Sequence, residues 1–437
     1  MPSRRQVLSA AALATAGALS GCAKSGRGAS GDPDALHIRV WDEKAADAYR
    51  TALKGFRSSS GLDIEVEAMP WEDYWSSLPL DIAGKNAPDL LWMNTANLAQ
   101  LQRSESIMDL TEPLAEMAGS WEGQVTDQYR IDGKLWGAPQ FWDRTILLSN
   151  RELVDAAKVD PEKLSFDPGA PTDPLRDAAK SMTKDANGLH PDQPGYAQES
   201  GTWGIGTGPD RAALLGPFVA ANGGTWQNDD GSFAFASAEG IAAVQYLADL
   251  ALTHKVTPPG PDIVAEQNLC RQRFTEGRLG LLQTGTYALG PVHAGIAGAF
   301  GWSVHPPIPG PRGPRPLVHA IAFVATSTKD DDREQAIIEL AQHLASADVG
   351  AVLAQQRIGI PARHDQYAAW VDAWKKEKVD VSGLGDAPTD IAHPEMGIRA
   401  AEAMNAAMPP IVDVFTGKTP AAKALPAAQA AADKARG

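Results

Sequence analysis

Stretches with strand and helix periodicity alternate near the start of this chain, and this order constrains its fold more than any other feature. Residues 36–41 and 62–67 alternate apolar and polar side chains as half-buried strands do, and 89–93 is apolar enough for a buried third strand. Between them, 45–57 and 74–83 carry apolar side chains at helical spacing. Parallel strands require such crossovers, so the pattern predicts an open α/β sheet.

Further elements follow along the chain. A tight turn is predicted at 131–134 and a central strand at 145–148, whereas 153–198 is rich in Pro, Asp and Gly and predicts irregular structure around one helix at 174–184. Apolar periodicity predicts later helices at 211–221, 239–254, 331–345, 400–408 and 419–436.

The length and charge of the chain limit its partners. Its 437 residues suffice for two or three domains, and 39 Lys and Arg against 54 Asp and Glu give a formal charge of −15. Nucleic acids and anionic lipids both reward clustered cations, so a neutral or cationic ligand is expected instead. The two cysteines, Cys22 and Cys270, exclude a disulfide scaffold, and Cys270 is expected to be a buried core thiol.

The first 34 residues resemble an export and anchoring signal. Arg4 and Arg5 precede an apolar stretch at 7–19, as in a twin-arginine signal, and small residues precede Cys22 as in a lipobox. The resemblance implies cleavage after residue 21 and a lipid on Cys22. Residues 22–34 would then tether the protein to the outer face of the cell membrane.

Twelve Trp residues, against seven Tyr and ten Phe, indicate an aromatic binding site. Indole faces stack on the C–H faces of sugars and also attract ammonium groups. Trp41 and Trp71 follow the first two strands and Trp142 precedes the 145–148 strand, and ligands collect at the carboxyl ends of strands in open α/β sheets. Trp203 and Trp226 stand beside glycine-rich turns, so all five are candidate ligand-binding residues.

Carboxylates stand beside some of these aromatic residues: Asp42 and Glu43 follow Trp41, and Asp143 follows Trp142. A carboxylate next to an aromatic face can orient a polyol, whereas a pair of carboxylates can serve as the acid and base of a glycosidase. The nine His residues lack metal-ligand spacing, and the chain has neither a G-x-S-x-G elbow nor a Walker A loop. No metal, cofactor or catalytic residue is therefore predicted.

Six short motifs occur in one order along the chain, and together they resemble the extracellular solute-binding proteins of ABC importers, in the branch similar to maltose-binding protein. They are the lipobox at Cys22 and the segments at 80–90, 132–139, 220–224, 274–285 and 306–311. The chain departs from the family pattern at Ser149, Asn150 and Arg151, where "YN" is usual, and its 155–200 segment has no counterpart.

The resemblance implies a two-lobed α/β fold in which each lobe is an open mixed sheet flanked by helices and a ligand cleft lies between the lobes. Residues 35–142 and 284–322 would form one lobe, and residues 143–283 and 323–437 the other. The resemblance also assigns ligand contacts, with Tyr287 standing where Trp is more usual: Trp41, Asp42, Glu43, Asn94, Asp143, Asp210 and Tyr287.

The predicted function is that of a monomeric, non-enzymatic receptor. It would capture a monosaccharide, an oligosaccharide or a polyol by closure of the lobes and deliver it to a membrane permease. Two alternatives remain open from the sequence. One is a secreted glycosidase that uses Asp42 or Glu43 with Asp143, and the other is a receptor for a polyamine, a quaternary ammonium compound or a peptide.

Overall fold

The computed structural model describes residues 35–56, 58, 61–199 and 201–437. The predicted signal at 1–21, the lipidation at Cys22 and the tether at 22–34 lie outside these residues. In the described part, no single helix has the length and apolarity to cross a membrane, whereas the pair Asp331–Leu344 and Ala347–Gln356, bent by 54°, passes that test by length and composition.

The predicted alternation at the start of the chain is confirmed. The elements are β1 (Ala35–Val40), α1 (Glu43–Ala52), β2 (Asp63–Ala68), α2 (Trp71–Gly84), β3 (Leu90–Met93) and α3 (Thr95–Arg103). Strand β1 lies between β2 and β3 and is parallel to both. Asp42 and Asn94 begin α1 and α3, because each side chain accepts a hydrogen bond from a backbone N–H three residues on.

The middle of the chain contains one long strand. The elements here are α4 (Gly123–Asp127), β4 (Arg130–Ile131), β5 (Lys134–Leu135), β6 (Ala138–Asn150), α5 (Arg151–Ala156), α6 (Pro174–Met182), β7 (Trp203–Ile205), α7 (Gly216–Ala221), α8 (Ala238–Leu252), α9 (Gly260–Ala265), α10 (Leu269–Thr275) and β8 (Leu279–Gly285). The predicted turn joins β4 and β5 with positive φ at Asp132 and Gly133. A π-helical turn, Arg211–Leu215, replaces the first half of the helix predicted at 211–221.

The last third of the chain supplies mainly helices. The elements are α11 (Leu289–Ile296), β9 (Trp302–His305), β10 (Val318–Ala325), α12 (Asp331–Leu344), α13 (Ala347–Gln356), β11 (Ile360–Pro361), α14 (Tyr367–Lys376), α15 (Ala400–Phe415) and α16 (Ala421–Arg436). The main path of the nine-stranded sheet runs β2-β1-β3-β10-β6-β8-β7, and β9 and β11 also pair with β6. Strand β10 is antiparallel to both β3 and β6.

Two hydrophobic cores lie along this sheet. The first core is built on β1, β3 and β10 with α1–α3 and α11–α14, and the second core on α5–α8, α15 and α16. Strand β6 passes between the two, because its first half pairs with β10 and its second half with β8 and β9. Parallel strands in each α/β unit, joined through the antiparallel strands β10 and β6, give the mixed sheet flanked by helices that the sequence predicts.

The packing divides the end of the chain differently from the predicted boundaries. Helices α12, α13 and α14 pack into the first core, whereas the prediction placed residues 323–437 with the second lobe. Of the helices in this segment, α15 and α16 pack into the second core. The amphipathic pattern of a helix shows that one face is buried, but it does not show which of two cores covers that face.

Candidate ligand-binding site

The first three strands direct Trp41, Trp71 and Asn94 to one edge of the sheet. Trp41 follows β1, Trp71 is the first residue of α2, and Asn94 follows β3. Because these strands are parallel, their carboxyl ends share the edge at which open α/β sheets bind ligands. The structure therefore brings these three predicted residues to one edge.

The indole of Trp41 is the centre of an aromatic cluster. Its ring centroid lies 5.2 Å from that of Trp71 at an interplanar angle of 86°, and 4.9 Å from that of the buried Trp92. Tyr74 and Trp75 contact the same ring at 5.2 and 5.6 Å. Edge-to-face packing of this kind fixes ring orientation, and it leaves Trp71 with 49% of its surface exposed. Trp71 is thus a rigid, exposed apolar face.

The acidic residues next to Trp41 are engaged in the fold. Asp42 Oδ1 accepts the backbone N–H of Ala45 at 2.7 Å as the N-cap of α1. Glu43 accepts a hydrogen bond of 2.9 Å from Arg50 Nη1, two turns along the same helix. Through these contacts, both acidic residues stabilise the start of α1.

Asp143 is buried where β6 crosses the edge of the first core. Thr286 Oγ1 donates to Asp143 Oδ1 at 2.7 Å, and His319 Nε2 lies 3.8 Å from Oδ2. Burial raises the pKa of Asp143, although His319 and the hydrogen bond from Thr286 act in the opposite direction. No hydrogen-bond partner among the described residues reaches the buried His319 Nδ1.

Tyr287 lies near this buried group, and 38% of its surface is exposed. Its ring is 6.3 Å from the His319 ring, and a Cβ atom on Gly285 would lie 2.1 Å from Tyr287 Cε1. Desolvation raises the pKa of Tyr287, and the nearby charges of Asp210 and Asp143 act in the same direction. Asp210 itself is exposed and begins the π-helical turn, where its Oδ1 accepts the N–H groups of Ala212 and Ala213, both at 2.9 Å.

Glu395 joins this region to the second core, and no sequence pattern indicated it. Its Oε1 accepts a hydrogen bond of 3.2 Å from Trp226 Nε1 and lies 3.6 Å from Arg211 Nη1. Its carbonyl oxygen accepts a hydrogen bond of 3.0 Å from Thr95 Oγ1 in the first core. Trp226 is otherwise buried in the second core. The signal lies in the fold alone, since Glu395 is far along the chain in a segment without periodicity.

Like Trp226, two further tryptophans predicted to bind ligand are buried and do not present exposed rings at this edge. Trp142 is buried in the first core on β6, paired with Ala320 and Ile360. Trp203 is buried on β7 at the opposite end of the sheet, and its Nε1 donates to the carbonyl of Gln198 at 2.9 Å. Position next to a turn or strand end does not determine which face a side chain takes, so the sequence alone could not separate these two from Trp41 and Trp71.

One arrangement in the structure has the form of a hydrolase triad. Ser149 Oγ lies 2.8 Å from His305 Nε2, and His305 Nδ1 lies 2.8 Å from Glu162 Oε1. Ser149, however, is 1% exposed within the sheet, so no substrate carbonyl can reach its hydroxyl. Among the residues described, no three His, Cys, Asp or Glu side chains group closely enough to hold a metal ion.

Comparison with known proteins identifies the family. Residues 51–381 match the family described as bacterial extracellular solute-binding protein. The chain belongs to this family. The family consists of non-catalytic binding proteins, which agrees with the prediction that the chain is a receptor and not an enzyme.

Solved structures of solute-binding proteins share the fold. UspC of M. tuberculosis has a TM-score of 0.74 and 28% identity over 92% of this chain and 100% of that chain. Maltose-bound MalE3 of T. maritima has a TM-score of 0.74 and 18% identity over 91% of this chain and 99% of that one. The Lmo0181 protein of Listeria monocytogenes, in complex with cycloalternan, has a TM-score of 0.74 and 18% identity over 91% of this chain and 98% of that chain. The predicted α/β fold of this family is confirmed.

A curated relative matches over a shorter stretch. Maltodextrin-binding protein MdxE of Bacillus subtilis (strain 168) is 27% identical over 154 residues, which is 34% of this chain. The match spans 36% of the length of MdxE.

Proposed function

We propose that this solute-binding protein is the sugar receptor of an ABC importer. The observation that carries the proposal is the indole of Trp71, half exposed and held edge-to-face against Trp41 at the carboxyl edge of β1, β2 and β3. The flat face of an indole complements the C–H face of a sugar ring, and a fixed indole loses little conformational entropy when the sugar binds.

Polar groups around this platform supply hydrogen bonds to hydroxyls. Asn94 lies on the same edge, and the exposed Asp210 and the partly buried Glu395 lie on the side of the second core. Oδ1 of Asn94 and Oδ1 of Asp210 serve as N-caps, so the Asn94 amide N–H groups and Asp210 Oδ2 are the atoms proposed to bind hydroxyls. A few such polar groups beside an apolar face are typical of small-molecule sites. A sugar satisfies both kinds of surface in one ligand.

The first and second cores are the two lobes that close in this proposal. Trp41, Trp71 and Asn94 belong to the first, whereas Asp210 and Trp226 belong to the second. A ligand that contacts both lobes binds the closed form more tightly than the open form and so shifts the population towards closure. The closed form would then deliver the sugar to the transmembrane subunits of the importer.

The names of related proteins agree with a sugar as the ligand. MdxE is a maltodextrin-binding protein, and the solved structure of MalE3 contains maltose. A related solute-binding protein from Thermotoga lettingae, with 20% identity and a TM-score of 0.74, was solved with α-D-tagatose. These ligands range from a monosaccharide to oligosaccharides, so the proposal for this chain extends to both classes.

Anchoring to the membrane forms part of the proposal. Small residues before Cys22 and the Arg4-Arg5 pair support export followed by lipidation of Cys22. The protein would act as a monomer on the outer face of the cell membrane, next to its permease. Labelling of cells with a radioactive or alkyne fatty acid should mark the wild-type protein and not a Cys22→Ala variant.

Isothermal titration calorimetry tests the ligand class. The panel contains the neutral sugars maltose, maltotriose, trehalose and tagatose, together with spermidine as a polyamine and betaine as a quaternary ammonium compound. We expect saturable binding of at least one neutral sugar and no heat from betaine. Binding of spermidine or betaine alone would transfer the proposal to a cationic ligand, which the sequence also allowed.

A further inference from the structure

One segment connects the two cores after α14. This connecting segment, residues 385–399, leaves the first core after Leu384 and enters the second core at α15. Asp386 O accepts a hydrogen bond of 3.1 Å from Arg144 Nη1, and Ala392 N donates to the carbonyl of Pro316 at 2.9 Å. The segment therefore runs beside β6 and brings Glu395 to the start of α3.

The end of the connecting segment is attached firmly to the second core. Gln227 pairs with Met396 through two hydrogen bonds of 2.9 Å, one to the backbone carbonyl and one from the backbone N–H. The Glu395 carboxylate adds the bond from Trp226 and the ion pair with Arg211. Its side chain is only 14% exposed, so water screens the ion pair less than it screens a pair on the surface.

A single side-chain hydrogen bond ties Glu395 to the first core. Thr95 Oγ1, buried at the start of α3, donates to the Glu395 carbonyl at 3.0 Å. Thr95 follows Asn94, and Glu395 is bonded to Arg211, which follows Asp210, so this contact joins the neighbours of two proposed ligand residues. Any separation of the cores at this point stretches the Thr95 bond first, because Glu395 has more attachments on the other side.

We propose that the Thr95–Glu395 contact is a latch that holds part of the ligand-free population closed, with Glu395 as the positioning residue that presents its backbone to Thr95. The inference rests on the proposed function, since it concerns the closure that captures the ligand. The apparent dissociation constant equals the intrinsic one divided by the fraction of molecules already closed. Thr95 is not among the proposed ligand residues, so loss of its hydrogen bond to Glu395 weakens binding without removal of a ligand contact.

Substitutions at Thr95 separate the latch from general stability. Thr95→Val removes the hydroxyl at nearly constant shape, whereas Thr95→Ser keeps it. The lost hydrogen bond is worth about 1 kcal/mol, so we expect the dissociation constant of Thr95→Val to be about fivefold higher than that of the wild type. The dissociation constant of Thr95→Ser should be unchanged. Glu395→Ala should weaken binding by about tenfold, and Glu395→Gln by less, because the amide oxygen still accepts from Trp226. Asp390→Asn is the control, since Asp390 lies on the same segment but pairs with Arg315 on the outside.

Closure is measured directly by double electron–electron resonance between spin labels at Leu80→Cys in the first core and Ala427→Cys in the second, both exposed positions. We expect the ligand-free Thr95→Val and Glu395→Ala proteins to lose the short-distance population, and the saturated proteins to regain it. If the wild type closes on a sugar but Thr95→Val has the same spin-label distances and the same affinity, the latch proposal is wrong and the proposed sugar-receptor function is unaffected. If the wild type neither binds a sugar nor closes, the proposed function itself fails.

Discussion

Thr286 Oγ1 donates a hydrogen bond of 2.7 Å to the buried carboxylate of Asp143 and accepts one of 3.2 Å from the backbone N–H of Arg144. This pairing fixes the turn after β8 against the crossing strand β6. Tyr287 follows Thr286 in the chain, so the hydrogen bond between Thr286 and Asp143 helps to fix the position of the Tyr287 ring. The arrangement uses a buried acid to position an aromatic side chain.

The raised pKa of Asp143 gives a prediction for stability against pH. Burial favours the neutral acid in the folded state, so its contribution to the free energy of unfolding is fully present below the unfolded pKa of about 3.9 and is lost as the pH rises through the folded value. Asp143→Asn should therefore be more stable than the wild type at about pH 7, with the difference shrinking towards about pH 4. Urea unfolding at both pH values measures this, and a wild type that is the more stable of the two at neutral pH would contradict it.

Gly285 should be needed for the position of Tyr287. A Cβ atom at this residue would lie 2.1 Å from Tyr287 Cε1, so Gly285→Ala must displace the ring or the backbone. We expect a loss of about 1–3 kcal/mol in the free energy of unfolding together with weaker ligand binding. Gly119→Ala is the control, because nothing lies within 4 Å of its Cβ position. Equal affinities of the two variants for the ligand would rule out this role of Gly285.

The buried Arg39 should contribute far more to stability than an exposed arginine does. Its guanidinium pairs with Glu67 and, at 2.5 Å, with Asp81. Arg39→Met leaves a buried carboxylate without its partner and should cost about 3–5 kcal/mol. Arg50→Met breaks the exposed pairs with Glu43 and Asp47 and should cost less than about 1 kcal/mol. Chemical denaturation of both variants measures the two values, and similar losses would show that burial of the Arg39 pair has no special effect.

Cys270 should be unreactive while the protein is folded. The half-buried thiol packs between the first core and a small apolar cluster of Ala251, Ile263 and Leu269. Its Sγ lies 3.4 Å from the carbonyl oxygen of Thr207, and desolvation raises its pKa to about 11. A thiol-specific reagent at about pH 8 should label it only after denaturation, because the thiolate is the reactive form. The assay uses a chain that begins after Cys22. Rapid labelling of the native protein would show that Cys270 is accessible.

Trp71 should contribute to affinity through its exposed face and to stability through its packed face. Half of its surface is exposed and the rest packs against Trp41 and Trp75, so Trp71→Ala should lower the free energy of unfolding by about 1–3 kcal/mol and weaken sugar binding by about tenfold. Leu80→Ala is the matched control, since Leu80 is a large exposed side chain on the same helix α2. Calorimetry on the two variants should show a loss only for Trp71→Ala, and a loss of the same size for Leu80→Ala would point to an indirect effect through the helix.

Local periodicity accounts for the part of the fold that the sequence could predict. The first three strands and their helices each bury one face, and that burial is visible as alternation or as helical spacing. The length of β6 could not be predicted beyond 145–148, because a strand buried on nearly all sides loses its alternation, and Pro139 near its start is unusual in a central strand. The destination of α12 to α14 depends on tertiary packing that no local pattern records.

The residues of the candidate site also divide into those that local sequence pattern indicated and those that only tertiary packing reveals. The strand-end rule indicated Trp41 and Trp71, because it needs only the order of strands, and the family resemblance indicated Asn94. Glu395 and His319 are brought in by pairing between distant segments, Thr95 with Glu395 and Asp143 with His319, so their role is visible only in three dimensions. For the same reason the sequence could not show that Trp142 and Trp203 are buried.

A crystal structure of the protein with the sugar that calorimetry identifies is the most direct test of the account. We expect the sugar to lie with one ring face on the indole of Trp71 and to make hydrogen bonds to residues of both cores, Asn94 and Asp210 among them. A sugar bound to one core alone, or bound beside Trp203 at the far end of the sheet, would contradict the account.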